Sequence, residues 1–290
     1  MERETFRVPT PDGRWLAAEM AGPEDGSLLV FHVGTPGTAY LFEGMVGDCV
    51  ERGLRMVTMS RPGYDGSPRR PGRSYADNPV DTAALLDFLG VESAYVVGHS
   101  GGGGPALADA ALLPDRVSAA AAMATLAPRE AMGPEWWEGL DTNRDEFSAL
   151  EAGEDRLRQE LEKMVEGMAA VEDIASEGDF GEFYSPADRA CLKGELLDFD
   201  WECRRRIRSG VEGWIDDDFA LYGNWGFSLD SIRVPVSVWQ GGQDRIIPVA
   251  HTRWLADRVP GAEYNLRPDE GHVSLMTRCF GAVLDDLLAR

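Results

Sequence analysis

Short, unbroken apolar runs separated by glycine- and proline-rich turns fill the first 127 residues. Residues 27–33, 55–59, 94–97 and 117–123 read as strands. They lack polar alternation, as expected of strands covered on both faces. Residues 79–89 place Val80, Ala83, Ala84, Leu86 and Leu89 at helical spacing, and Asn78 ahead of Pro79 is the expected cap. Strand and helix in alternation predict parallel βαβ units. At the start, Thr10-Pro11-Asp12-Gly13 lies between two strand-like runs and predicts an antiparallel hairpin.

The pattern changes at residues 129–228, where strand-like runs vanish. Leu157, Leu161, Met164 and Met168 give residues 151–171 an amphipathic helical stripe, and residues 187–207 read as helical too. Residues 234–239 and 262–266 then resume strands, with a helix at 249–259 and a last helix ending near Leu288. The expected architecture is α/β: a mostly parallel central sheet flanked by helices, formed by residues 1–128 and 229–290. Residues 129–228 are expected to be an inserted helical cap.

Composition narrows the class. Of 290 residues, 43% are hydrophobic and 27% charged, as in soluble globular proteins. No run reaches the roughly 18 apolar residues a membrane span needs, so no membrane partner is expected. The opening Met1-Glu2-Arg3-Glu4 does not read as a secretory signal. Cys49, Cys191, Cys203 and Cys279 form no metal-ligating or redox pair. Free thiols and a cytoplasmic location are therefore expected. The net charge of −22 would repel a phosphate backbone, which disfavours nucleic acid as a partner. Within residues 129–230, 27 Asp and Glu stand against 11 Lys and Arg. That excess is either a solvated helical surface or a field that draws cationic substrates towards an entrance.

Gly98-His99-Ser100-Gly101-Gly102 fits G-x-S-x-G, with an apolar strand running in and a small-residue helix running out. Such a turn lifts a serine hydroxyl above the sheet, at a helix N-terminus suited to a developing anion. Gly98 and Gly102 make room for backbone. A serine hydroxyl needs a base. Of the four histidines, His32 ends a strand and reads as structural. His99 adjoins the serine but points elsewhere, and His251 begins a helix that reads as exposed. His272 follows the last strand, where open α/β sheets build their sites. Asp244, in the turn after the 234–239 strand, can orient that imidazole. Asp269 and Glu270 compete for this role but lie too close in sequence to reach the far nitrogen easily. Gly34-Thr35-Pro36-Gly37 follows the first buried strand. There the N–H of Thr35, with that of Gly101, can hold an oxyanion, whereas Pro36 has no N–H to give.

Taken together these segments resemble the α/β-hydrolase superfamily. Gly34-Thr35-Pro36-Gly37 is similar to its H-G-x-P oxyanion loop, and Ser60-Arg61-Pro62-Gly63-Tyr64 to its D-x-P-G-x-G-x-S loop. Gly98–Gly102, Gly241-Gly242-Gln243-Asp244 and Gly271-His272 complete the match, in the family's order of serine, acid, histidine. The resemblance covers essentially the whole chain. It departs at Val33, where relatives carry His directly before the Gly, and at Pro105, whose missing N–H is expected to loosen the helix after Ser100. The resemblance implies a serine hydrolase with Ser100, His272 and Asp244 as triad and Thr35 and Gly101 as oxyanion donors. Gly34, Gly98, His99 and Gly102 would be the supporting residues. No cofactor or metal is called for, and the partner is a small-molecule ester, lactone or thioester. A proline-iminopeptidase-like amidase is the alternative within this chemistry, although those enzymes carry Trp where Gly101 stands. A non-catalytic receptor or carrier on the same fold is the alternative outside it. A dehalogenase or epoxide hydrolase would need Asp at position 100.

Overall fold

A computed structural model describes residues 3–170, 183–196 and 210–290. Its frame is an eight-stranded sheet in the order β1-β2-β4-β3-β5-β6-β7-β8. The strands are β1 Arg3–Pro9, β2 Trp15–Ala21, β3 Ser27–His32, β4 Leu54–Met59, β5 Ala94–His99, β6 Val117–Met123, β7 Val236–Gly241 and β8 Glu263–Arg267. β1 and β2 form the expected hairpin, closed by a Gly13 N–H bond to the Thr10 carbonyl, and β2 runs antiparallel to β4. Every other neighbouring pair is parallel.

The central parallel strands are largely apolar because they feed two cores. In β3, Leu28 and Val30 enter one cluster while Leu29 and Phe31 enter the other. In β6, Ala120 and Ala122 face the first, and Ala119, Ala121 and Met123 the second. Helices Asn78–Leu89, Gly103–Leu112 and Val249–Ala256 contribute to the first core. Helices Glu43–Glu51 and Phe280–Leu288 contribute to the second.

Two local expectations are corrected. Asn78 is the first residue of its helix and not its cap; the preceding turn is closed by a Ser74–Asp77 capping box. Pro105 does not loosen its helix. Helix Gly103–Leu112 runs unbroken through Pro105, its third residue, after a 3-10 turn at Ser100–Gly102, and the Gly101 carbonyl one turn back accepts from the Tyr75 hydroxyl instead.

Between β6 and β7 the described residues form helices: Arg129–Met132, Arg144–Glu151, Glu154–Ala170, Pro186–Leu192 and Glu212–Tyr222. The helix expected at 187–207 is present as Pro186–Leu192, and the stretch from residue 197 lies outside the described residues. Aromatic residues of this segment join the first core. Trp136 is fully buried, with Trp137, Phe147, Tyr222 and His251 edge-on to it at centroid distances of 4.9 to 5.6 Å. Among the described residues, no helix is long and apolar enough to cross a membrane. Cys49, Cys191 and Cys279 are buried free thiols.

Candidate active site

β5 delivers Ser100 to the C-terminal edge of the sheet. Its φ is +55°, in the left-handed region that a non-glycine residue seldom occupies. The turn closes so tightly that a Cβ on Gly98 would lie 2.1 Å from the Gly102 carbonyl oxygen, and one on Gly102 would lie 2.1 Å from that of His32. Glycine is therefore required at both positions, and the strain at Ser100 is held by packing on either side.

His272 opens the helix His272–Arg278 and is buried. Its Nδ1 lies 2.9 Å from Asp244 Oδ2. A carboxylate accepts, so the proton sits on Nδ1 and the lone pair on Nε2 is left to act as base. Asp244 is held in turn. Its Oδ1 accepts from the N–H groups of Ile246 (2.8 Å) and Ile247 (2.9 Å), and Gln240 Nε2 donates to Oδ2 at 3.3 Å. Burial by itself would lower the pKa of His272. The charge and hydrogen bond of Asp244, together with the charge of Asp188, outweigh it and hold the pKa above its ordinary value. Of the competing acids, Glu270 lies 3.9 Å from Arg278, and the carboxylate on the imidazole is that of Asp244.

His99 joins the serine turn to the histidine loop. Its Nε2–H donates to the His272 carbonyl at 3.0 Å, and the two rings are 4.6 Å apart. That nitrogen is committed as a donor, so His99 supports the site and does not supply the base. His32 is structural, as expected: its Nε2 meets the buried Asp109 at 2.8 Å. His251 is not exposed. It is fully buried, its Nδ1 accepts from the Ala127 N–H at 3.2 Å, and burial pushes its pKa down to about 4. The helix carrying it reads as a surface helix because the helical segment that covers it lies far away in sequence.

The 34–37 loop lies against the serine. A Cβ on Gly34 would be 3.0 Å from Ser100 Cβ and 3.5 Å from its Oγ, and one on Gly101 would be 3.0 Å from the Thr35 amide nitrogen. Thr35, Gly101 and Ser100 therefore converge. Arg61 fixes the loop from behind by donating to the carbonyls of Val33 (2.6 Å) and Gly34 (3.0 Å) and to Thr35 Oγ1 (3.2 Å). Arg61 is anchored to Asp217 on helix Glu212–Tyr222, and Tyr64 and Arg73 also donate to Asp217. Desolvation opposes the charge on Asp217, but the two guanidiniums prevail and hold its pKa at about 2. Tyr75 completes the support by donating to the Gly101 carbonyl at 3.2 Å.

Sequence reading passed over Asp217, Arg73 and Asp188. Arg61 stands in the Ser60–Tyr64 loop motif, which does not announce its role. The signals present were slight: Asp217 lies in the run Asp216-Asp217-Asp218, and Ser185-x-x-Asp188 has the form of a helix start.

The comparisons agree with this architecture. The family model described as alpha/beta hydrolase fold matches residues 27–278. The chain belongs to the α/β-hydrolase family. Among curated relatives, the uncharacterized hydrolase YcgS of Bacillus subtilis (strain 168) is 27% identical over 267 residues, covering 86% of this chain and 89% of its own. The bifunctional esterase/perhydrolase DCH of Acinetobacter calcoaceticus is 26% identical over 247 residues, covering 83% of each chain. Among solved structures, an esterase (EaEST) from Exiguobacterium antarcticum superposes with a TM-score of 0.74 at 18% identity, covering 99% of this chain and all of its own, a likeness of fold. Hydrolase relatives at this level support hydrolase activity for the chain.

Proposed function

We propose that the protein is a serine hydrolase that cleaves a small ester, lactone or thioester through an acyl-enzyme, with residues 129–228 as a cap over the site. The observation that carries this reading is the Asp244–His272 bond of 2.9 Å, on an imidazole tied through His99 to the turn bearing Ser100. The esterase name of the Acinetobacter relative favours carboxylic esters.

In this reading His272 Nε2 takes the Ser100 proton as Oγ bonds to the carbonyl carbon, and the carbonyl oxygen becomes an oxyanion held by the N–H groups of Thr35 and Gly101. The tetrahedral species collapses and expels the alcohol, thiol or ring hydroxyl, which takes the proton from His272. Water then gives a proton to His272 and attacks the acyl carbon. The Ser100–acyl bond breaks, Ser100 recovers its proton, and a carboxylic acid leaves. The chemistry calls for no cofactor or metal.

Among the described residues, the acids of helix Glu212–Tyr222 that an amine-binding peptidase could call on are already engaged. Asp217 pairs with Arg61 and Arg73, and Asp216 with Arg69. Asp218 and Glu146 are buried together, and burial raises the pKa of both. This favours the ester reading over the aminopeptidase one.

The test is a fluorophosphonate probe with a panel of p-nitrophenyl esters, lactones and aminoacyl anilides. Wild type is expected to be labelled once and to turn over an ester or lactone, and Ser100→Ala to lose both properties. Labelling that survives in Ser100→Ala overturns the assignment. Labelling without turnover of any panel member points to the receptor class.

A further inference from the structure

At the start of helix His272–Arg278, Ser274 Oγ accepts from the Gly271 N–H at 2.8 Å, but Gly271 has no side chain to accept from the first N–H groups of the helix itself. The place of that side chain is taken by a carboxylate from another part of the chain. Asp188, on helix Pro186–Leu192, is fully buried. Its Oδ1 accepts from the N–H groups of Val273 and Ser274, both at 2.9 Å. Its Oδ2 accepts from the N–H of His272 at 3.1 Å. The same oxygen takes the Ser185 N–H (3.1 Å) and hydroxyl (2.9 Å). Five donors thus converge on one carboxylate, and three of them are backbone groups at the start of the helix that carries the imidazole. A Cβ on Gly271 would lie 2.1 Å from Asp188 Oδ2 and 2.2 Å from Ser185 Oγ. Glycine stands before the histidine because the carboxylate and hydroxyl occupy that space.

The remainder of the interface seats the carboxylate. Cys191 Sγ meets Thr277 Oγ1 at 2.9 Å, and Arg278 donates to Glu195 at 2.9 Å near the surface. Cys191, Leu192 and Leu196 share a core with Val273, Leu275 and Met276. Three groups act on the imidazole from three elements: Asp244 from the loop after β7, His99 from the end of β5, and Asp188 from the helical segment.

We propose that Asp188 is the positioning residue for His272, a carboxylate lent by the helical segment that fixes the backbone of the base and ties the base's competence to the seating of residues 185–196. It touches neither substrate nor the reacting atoms. It acts through the peptide groups of residues 272–274, and its charge adds to that of Asp244 in favouring the imidazolium formed during turnover. This inference rests on His272 being the base of the proposed hydrolase.

The experiment compares Asp188→Asn, Asp188→Glu and Glu195→Gln with wild type in two readouts. The first is kcat and KM per fluorophosphonate-titrated site across pH, so that misfolded protein is not counted. The second is NMR titration of the histidine side chains, which needs no turnover. Asp188→Asn puts an amide N–H against backbone donors and removes the charge. It is expected to lower kcat about 10- to 100-fold with little change in KM, and to move the titration of His272 and the acid limb of kcat to lower pH. Asp188→Glu keeps the charge but misplaces it, so kcat should fall while the titration stays near wild type. That variant carries the test if Asp188→Asn does not fold. Glu195→Gln weakens only the exposed contact with Arg278 and leaves all five donors to Asp188 in place, so it should match wild type in both readouts. The inference is overturned if the Asp188 variants keep wild-type kcat per site, or if Glu195→Gln loses as much as they do. Absence of turnover in wild type with a shifted His272 titration in Asp188→Asn would defeat the hydrolase reading and leave the coupling standing.

Discussion

Arg61 grips Asp217 through two hydrogen bonds of 2.8 and 2.6 Å, with both side chains buried and 156 positions apart in sequence. The same guanidinium donates to the Val33 and Gly34 carbonyls, so an ion pair with the helical segment also fixes the loop beside Ser100. Breaking such a pair from one side strands a buried charge, at a cost of about 3–5 kcal/mol. Asp217→Asn should therefore lower stability on that scale in urea unfolding. The variant that remains folded should lose kcat more than it raises KM, because the loop, and not a substrate contact, is disturbed. Unchanged stability would show that the pair carries little.

The same pair sets an acid limit. The folded pKa of Asp217, about 2, lies below its ordinary value of 3.8. Its contribution is therefore complete above pH 3.8 and is lost as pH falls through about 2. Acid unfolding of wild type should show proton uptake in that window, and Asp217→Asn should lack that part of it. Superimposable pH–stability curves would refute this.

His251 works at higher pH. Its folded pKa of about 4 lies below the ordinary 6.5, so the unfolded chain binds the proton first and stability falls as pH drops from 6.5 towards 4. The span corresponds to about 3 kcal/mol. His251→Asn offers an oxygen to the Ala127 N–H and does not titrate. It should be less stable at pH 7, through lost packing on Trp136, yet show a flatter pH dependence between 4 and 6.5. An equal slope in both proteins would move the effect elsewhere.

Asp244→Asn tests the orientation of the base. The amide can present its N–H to Nδ1 and so favour the wrong tautomer. The fold should survive while kcat falls by about four orders of magnitude. In wild type, the raised pKa of His272 should place the acid limb of kcat/KM above 6.5. A near-wild-type Asp244→Asn enzyme would reassign the acid.

The acidic segment has a measurable consequence for substrate capture. Part of its charge is already paired: Arg69 bridges Glu154, Glu212 and Asp216, and Arg158 bridges Glu154 and Glu212. If the remainder faced the entrance, salt would depress kcat/KM for a cationic ester and spare a neutral isostere, since the Debye length shrinks from about 10 Å at 0.1 M to about 3 Å at 1 M. The internal pairing makes flat profiles for cationic, neutral and anionic esters the expected result. A steep fall for the cationic ester alone would restore the field.

The sequence by itself determined the strands, their parallel arrangement, the helical interruption and the residues Ser100, Asp244 and His272. Each of these is announced within a few residues: an apolar run long enough to cross a sheet, glycines where backbone must pass close, a carboxylate in the turn after a strand. Tertiary structure decided what covers and holds them. The burial of His251 depends on Trp136, and the neutralisation of Asp217 on Arg61 and Arg73. The cap on the helix of His272 depends on Asp188, 84 to 86 residues away from the groups it holds. In a local window, an acid on an amphipathic helix reads the same whether it meets water or a guanidinium. The sheet brings its partner to it from a distant part of the chain, and only that contact turns a surface charge into part of the site's support.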